Sequence, residues 1–153
     1  MLEMVVITDT SCLIALTKTD TLGILSKMYH RVIITEDIRD EFGEPLPVWI
    51  EIMPVVDKKY QQLLEKTLDS GEASAIALAI TLEDVVLILD DLKARKEAKR
   101  LGFKITGTLG VLFRAKQKGL IPALKPYIDK LQAIDFRISP LVVKELLTLS
   151  DEI

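Results

Sequence analysis

Val85-Val86-Leu87-Ile88-Leu89-Asp90-Asp91 is the stretch on which the fold turns. Five apolar residues without polar alternation suit a strand buried on both faces, as in a parallel sheet. The run stops abruptly in two carboxylates. The same pattern opens the chain, where Val5-Val6-Ile7-Thr8 leads into Asp9-Thr10-Ser11. Working outward, Met4–Thr8, Val32–Ile34 and Phe103–Thr106 read as further short strands, and Ile50–Val55 as a weaker one. Helical patterns lie between them. Asp57–Leu68, Glu72–Leu82, Leu92–Leu101 with Gly102 as its stop, and Leu109–Lys118 opened by Thr108 and closed by Gly119 are the clearest. Pro122 and Pro140 are expected in the first turns of two last helices. Strand and helix in alternation predict α/β architecture, a three-layer α/β/α domain around a central, mainly parallel sheet.

The chain has 153 residues, 49% hydrophobic and 28% charged, and Leu, Ile and Val make up 52 of them. That is enough apolar matter for one core, so residues 1–153 are expected to form a single domain. No apolar run approaches the ~20 residues of a membrane helix. The first residues, MLEMVVITDTS, carry no Lys or Arg and do not read as a secretory signal. A soluble, cytoplasmic protein is expected. There is one cysteine, Cys12, and one histidine, His30, which excludes a disulfide framework and any His- or Cys-rich metal cluster within the chain. Asparagine is absent, which beside many Ile, Lys and Glu fits a thermophilic source. The 23 Asp and Glu are the abundant chemistry. Carboxylates suit a hard divalent cation such as Mg²⁺.

The net charge of −3 hides an asymmetry, because residues 93–130 hold 11 basic and 2 acidic side chains. A polyanion-facing surface joined to an acidic pocket is one reading; solubilising charge carried in blocks is the other.

In open parallel sheets the functional crevice lies beyond the carboxyl ends of the strands. Asp9, Asp90 and Asp91 follow two strands there. One such Asp is ordinarily a helix cap. Three at two strand ends point instead to a site, since like charges ~4 Å apart repel by about 4 kcal/mol at an effective dielectric of 20. Glu72 opens a helix of small residues, Gly71 to Ala79, that allows close packing on the sheet. Glu41 lies on an acidic helical face with Glu36, Asp37 and Asp40, of which only some turn inward.

Several of these segments, taken in order, resemble the PIN-domain family of metal-dependent nucleases, most closely its VapC-like prokaryotic members, many of them toxins paired with an antitoxin. They are Ile7-Thr8-Asp9-Thr10-Ser11; Val32-Ile33-Ile34 with Ile38 and Glu41; Gly71-Glu72-Ala73 to Ala79; Leu89-Asp90-Asp91-Leu92-Lys93-Ala94-Arg95; and Thr106-Gly107-Thr108-Leu109-Gly110. The resemblance implies catalytic acids at Asp9, Glu41, Glu72, and Asp90 or Asp91, with Asp9, Glu72, Asp90 and Asp91 as ligands of Mg²⁺ or Mn²⁺. It implies hydrolysis of RNA to 5′-phosphate and 3′-hydroxyl ends, a homodimer and an antitoxin partner. Where relatives often have proline, this chain has Thr35, which leaves the register of Glu41 open. Thr10, Ser11 and Thr108 are candidates to bond phosphate, with Thr108 favoured as a helix cap. Lys93, Arg95, Lys96, Lys99 and Arg100 are expected to hold the RNA backbone, Arg95 foremost. Two other readings stand beside this one: a receiver-like phospho-acceptor domain using Mg²⁺, and a catalytically weak RNA- or partner-binding module. Cys12 is expected in the core, His30 in a surface loop, and Trp49 and Phe42 in packing roles.

Overall fold

The computed structural model describes residues 3–152. Met1, Leu2 and Ile153, the ends of the expected single domain, lie outside them. Five strands form one sheet: β1 (Glu3–Thr8), β2 (Tyr29–Thr35), β3 (Ile50–Met53), β4 (Val85–Ile88) and β5 (Lys104–Thr106). Every pairing is parallel, in the order β3-β2-β1-β4-β5. The sheet is therefore wholly rather than mainly parallel among the described residues. A receiver-like domain has the order 2-1-3-4-5, so this topology departs from that alternative. Val85 to Leu89 are all buried, as their unbroken apolar run requires. Helices cover both faces and complete the three-layer α/β/α architecture.

The first half of the chain contributes α1 (Thr10–Lys18), α2 (Ile24–Met28), α3 (Glu36–Phe42), α4 (Lys58–Leu64) and α5 (Ser70–Ala79). The second half contributes α6 (Leu92–Arg100), α7 (Thr108–Gln117), α8 (Lys125–Ala133) and α9 (Pro140–Leu149). The α5 helix packs across β1, β2 and β4. Its Ala73, Ala75, Ala77 and Ala79 are essentially inaccessible, which is the close approach its small residues foretell. Cys12 lies in the core, Phe42 is buried and Trp49 half-buried against the core, as expected.

Three local expectations are corrected. The helix that Pro122 was expected to open does not form there. It starts at Lys125 with Pro126 in its first turn, because the Glu152 carboxylate, from the far end of the chain, accepts the Leu124 and Lys125 N–H groups at 2.8 and 2.9 Å. Thr108 is not the cap of α7. Gly107 holds that position, and the Thr108 hydroxyl is turned elsewhere. His30 is exposed but belongs to β2, not to a loop.

Candidate active site

The sheet order changes direction at β1, whose neighbours are β2 on one side and β4 on the other. Thr8 pairs with Ile88, and Asp9 N–H donates to the Ile88 carbonyl at 3.1 Å, so the two strands end together. Asp9 and Asp90 thereby meet at the switch point, where a crevice is expected. A cavity of about 890 Å³ opens there, and Asp9, Thr10, Ser11, Glu41, Glu72, Asp90, Asp91 and Arg95 all line it.

Each acid is held by a local reason. Asp9 caps α1: its Oδ1 accepts the Cys12 N–H at 2.8 Å, while Oδ2 accepts the Asp90 N–H at 2.8 Å. Capping and placement in the crevice are thus one arrangement. Asp90 accepts the Thr108 N–H at 2.8 Å on Oδ1, and the Thr108 and Ser11 hydroxyls at 2.6 and 2.9 Å on Oδ2. Asp91 caps α6 through the Ala94 N–H at 3.0 Å.

Glu41 is brought in from α3. Thr35 caps that helix by accepting the Ile38 N–H at 3.2 Å and shares a 2.6 Å hydrogen bond with Ser74 of α5. Proline could do neither with its side chain. The register left open by Thr35 is thereby set, and Glu41 Oε1 accepts the Thr10 hydroxyl at 3.1 Å. That oxygen stands only 1.9 Å from where a Cβ on Gly71 would lie, so glycine there makes room for the carboxylate. Glu72 stands in the first turn of α5. It closes a reciprocal capping box with Asp69, whose Oδ1 accepts the Glu72 N–H at 2.8 Å while Glu72 Oε1 accepts the Asp69 N–H at 3.4 Å.

Asp69 also lines the cavity, and sequence reasoning missed it. The signal was present in Asp69-Ser70-Gly71-Glu72, the acid-x-x-Glu spacing of a capping box directly before an apolar run. Asp135, Phe136, Arg137, Val142 and Leu146 also line the cavity, and no motif pointed to them. Of the basic residues of α6 expected to hold RNA, only Arg95 reaches the cavity, where its Nη1 donates to the Leu89 carbonyl at 2.9 Å. Lys93, Lys96 and Lys99 are exposed on α6 and do not line the cavity. The helical period turns Ala94 and Ala98 to the protein instead.

Burial, then the charge of Asp90, pushes the Asp9 carboxyl up to about 8, against two stabilising backbone N–H donors. Burial, then the charges of Asp69 and Asp91, pushes Glu72 up to about 7. Glu41 is raised by burial and by Asp69. Crowded, desolvated carboxylates of this kind want a proton or a cation. Among the described residues no three acids close into a group that would hold an ion as they stand. Each is drawn to its own N–H or hydroxyl donors instead. The donor set nevertheless fits a hard divalent ion, being all oxygen and sharing one cavity in which seven acids face two arginines.

Among the described residues, no helix is long and apolar enough to cross a membrane. No curated protein matches the chain. A family model described as PIN domain matches residues 5–152, a span that contains every carboxylate of the cavity. PIN domains are in general nucleases, so a nuclease-type hydrolase fold carries this crevice. By that match over nearly its full length, the chain belongs to the PIN-domain family.

Proposed function

We propose that the protein is a single-domain, divalent-metal-dependent endoribonuclease of the VapC-like kind, the toxin of a toxin–antitoxin pair. The observation that carries this reading is the convergence of Asp9, Glu41, Glu72, Asp90 and Asp91 on one cavity at the switch point of a parallel sheet. Asp9, Glu72, Asp90 and Asp91 would hold Mg²⁺ or Mn²⁺, with Glu41 beside them. Such a cation, when bound, offsets the carboxylate repulsion, acidifies water and polarises the phosphodiester. The chain itself orients the acids. Ser11 and Thr108 pin Asp90, and Thr10 steadies Glu41. Arg95 donates one guanidinium N–H to the Leu89 carbonyl and offers the others to a phosphate. Lys93, Lys96 and Lys99 on the exposed face of α6 supply longer-range attraction for the RNA. Exposed Leu141, Val142 and Leu149 on α9 support a docking surface for an antitoxin or for a second copy of the chain.

The experiment is cleavage of a fluorescent single-stranded RNA with Mg²⁺, Mn²⁺ or EDTA. The reading expects turnover only with metal, and a loss of at least about a hundredfold in Asp9→Asn, with the circular dichroism spectrum unchanged. Cleavage retained by a folded Asp9→Asn would refute the site. RNA binding without turnover in Mn²⁺ would leave the binding-module reading in its place.

A further inference from the structure

The acids line only part of the cavity; the α8–α9 loop, with Val142 and Leu146 of α9, lines another part. That loop is held firmly. Asp135 takes a left-handed conformation at φ +63°, its N–H donates to the Gln132 carbonyl at 3.1 Å, and the Phe136 N–H reaches back to the Leu131 carbonyl at 3.0 Å. This is the paired closure that ends a helix on a fixed backbone. Phe136 is half-buried against the core, whereas Arg137 is exposed and has no ion pair or side-chain hydrogen bond among the described residues. Both residues also line a second cavity of about 740 Å³ with Gln132 and Ser139. Asp135, Phe136 and Arg137 are therefore the wall that the acidic cavity shares with the second one, and Arg137 is its one cation.

We propose that Phe136 and Arg137 form a binding site for single-stranded RNA, carrying the strand from the acidic cavity into the second. The proposal rests on the nuclease reading of the crevice. A polyanion entering a ring of carboxylates needs a cation that they have not already neutralised. Arg95 commits one N–H to the Leu89 carbonyl, while Arg137 is uncommitted. An Arg fork suits a phosphate. The Phe136 ring beside it suits a base whose face is open, which a single strand offers and a duplex keeps stacked.

The test uses the full chain and a fluorescein-labelled RNA of about 20 nucleotides, longer than one strand-binding site needs. Steady-state cleavage with Mg²⁺ is measured for wild type, Arg137→Ala, Arg137→Lys and Phe136→Leu. Anisotropy binding across about 50–200 mM salt is measured for the same changes in an Asp9→Asn background that leaves the RNA intact. Lys27→Ala, an exposed residue of α2 that lines neither cavity, is the control, and melting curves check folding. Arg137→Ala is expected to raise KM and Kd at least about fivefold, leave kcat within about twofold, and lower the salt slope by about 0.7, with Arg137→Lys restoring the slope. Phe136→Leu, which keeps an apolar packing group, should weaken binding about fivefold or more without changing the slope. A duplex of the same sequence should compete at least about tenfold less well. Unchanged KM, Kd and slope in both variants, or equal competition by the duplex, would overturn the proposal and leave the nuclease reading intact. A wild type that neither binds nor cleaves RNA would remove both.

Discussion

The carboxylates of the crevice make stability itself a reporter of the site. Asp9 has a folded-state carboxyl at about 8 against an ordinary 3.8, and Glu72 one at about 7 against 4.5. A carboxyl raised by folding keeps its proton longer in the folded than in the unfolded chain. Without metal, the fold is therefore unpenalised below about pH 4 and loses stability as pH rises toward 8. Each pH unit in which the folded chain holds one extra proton is about 1.4 kcal/mol. Between about pH 5 and pH 8, Asp9 alone contributes a loss of about 4 kcal/mol as an upper figure. Glu72 is half-buried, so solvent screening cuts its share to about 1 kcal/mol. The two share part of one repulsion, which brings the total to about 4 kcal/mol. At roughly 2–4 °C per kcal/mol, Tm in EDTA should fall by about 8–16 °C over that window.

On the proposed metal-dependent reading, Mg²⁺ would compete with those protons. It should raise Tm strongly near pH 8 and hardly at all near pH 5. The assay is thermal melting by circular dichroism at a series of pH values, with EDTA or excess Mg²⁺, for wild type and Asp9→Asn. The variant should flatten the EDTA profile, having lost the group that titrates. A wild-type Tm constant within about 3 °C in EDTA, or an equal Mg²⁺ effect at both ends of the range, would refute the reasoning.

Three further outcomes follow from individual contacts. Gly71→Ala should fold with a stability change of no more than about 1 kcal/mol, because its Cβ clashes only with the movable end of Glu41, yet cleavage should fall at least about tenfold as Glu41 is displaced. Asp69→Asn should keep the cap of α5 while relieving Glu72 and Glu41 of a neighbouring charge, whereas Asp69→Ala should cost about 1 kcal/mol; urea melts separate the two. Burial would raise the Glu152 carboxyl, but N–H donors from Lys125 and Leu124, the Ser150 hydroxyl and the Lys116 charge bring it down to about 2. That stabilisation is present above about pH 4.5 and lost as pH falls toward 2, so Glu152→Ala should lower stability by about 2 kcal/mol at neutral pH and by little in strong acid.

The strand-end acids were legible because a parallel sheet brings its carboxyl edges together whatever the loops do. Asp9, Asp90 and Asp91 needed only that rule. Glu41 and Asp69 were harder, because their placement depends on contacts between helices. Thr35 touching Ser74, and Gly71 leaving space for Glu41, leave no periodic trace in the sequence. Thr108 was misread because a hydroxyl before a helix is usually a cap. Here the backbone must pass close to Asp90 and Arg95, which favours Gly107 at the cap and frees the Thr108 side chain for Asp90. The start of α8 was misplaced because its N–H partner, Glu152, is distant in sequence and near in space. The Phe136–Arg137 wall has the same character. It exists only once the α8–α9 loop reaches the crevice.

Capping and function are not competing explanations for these acids. Four helix N-termini deliver backbone N–H groups to four carboxylates: Cys12 to Asp9, Glu72 to Asp69, Ala94 to Asp91 and Thr108 to Asp90. Each helix end also carries roughly half a positive charge. Those partial charges let the fold gather acids that would otherwise repel one another apart. They do not neutralise them, as the raised carboxyls of Asp9 and Glu72 make plain. The helix ends thus hold the acids in position, and under the proposed function the remaining negative potential would attract a cation. Replacing a cap with an uncharged one should therefore separate the two contributions. Asp91→Asn should preserve α6 and most of the stability, since Asn caps nearly as well as Asp. It should also weaken Mg²⁺ protection against thermal unfolding. A variant that lost stability and kept its full response to Mg²⁺ would show that Asp91 serves the helix alone.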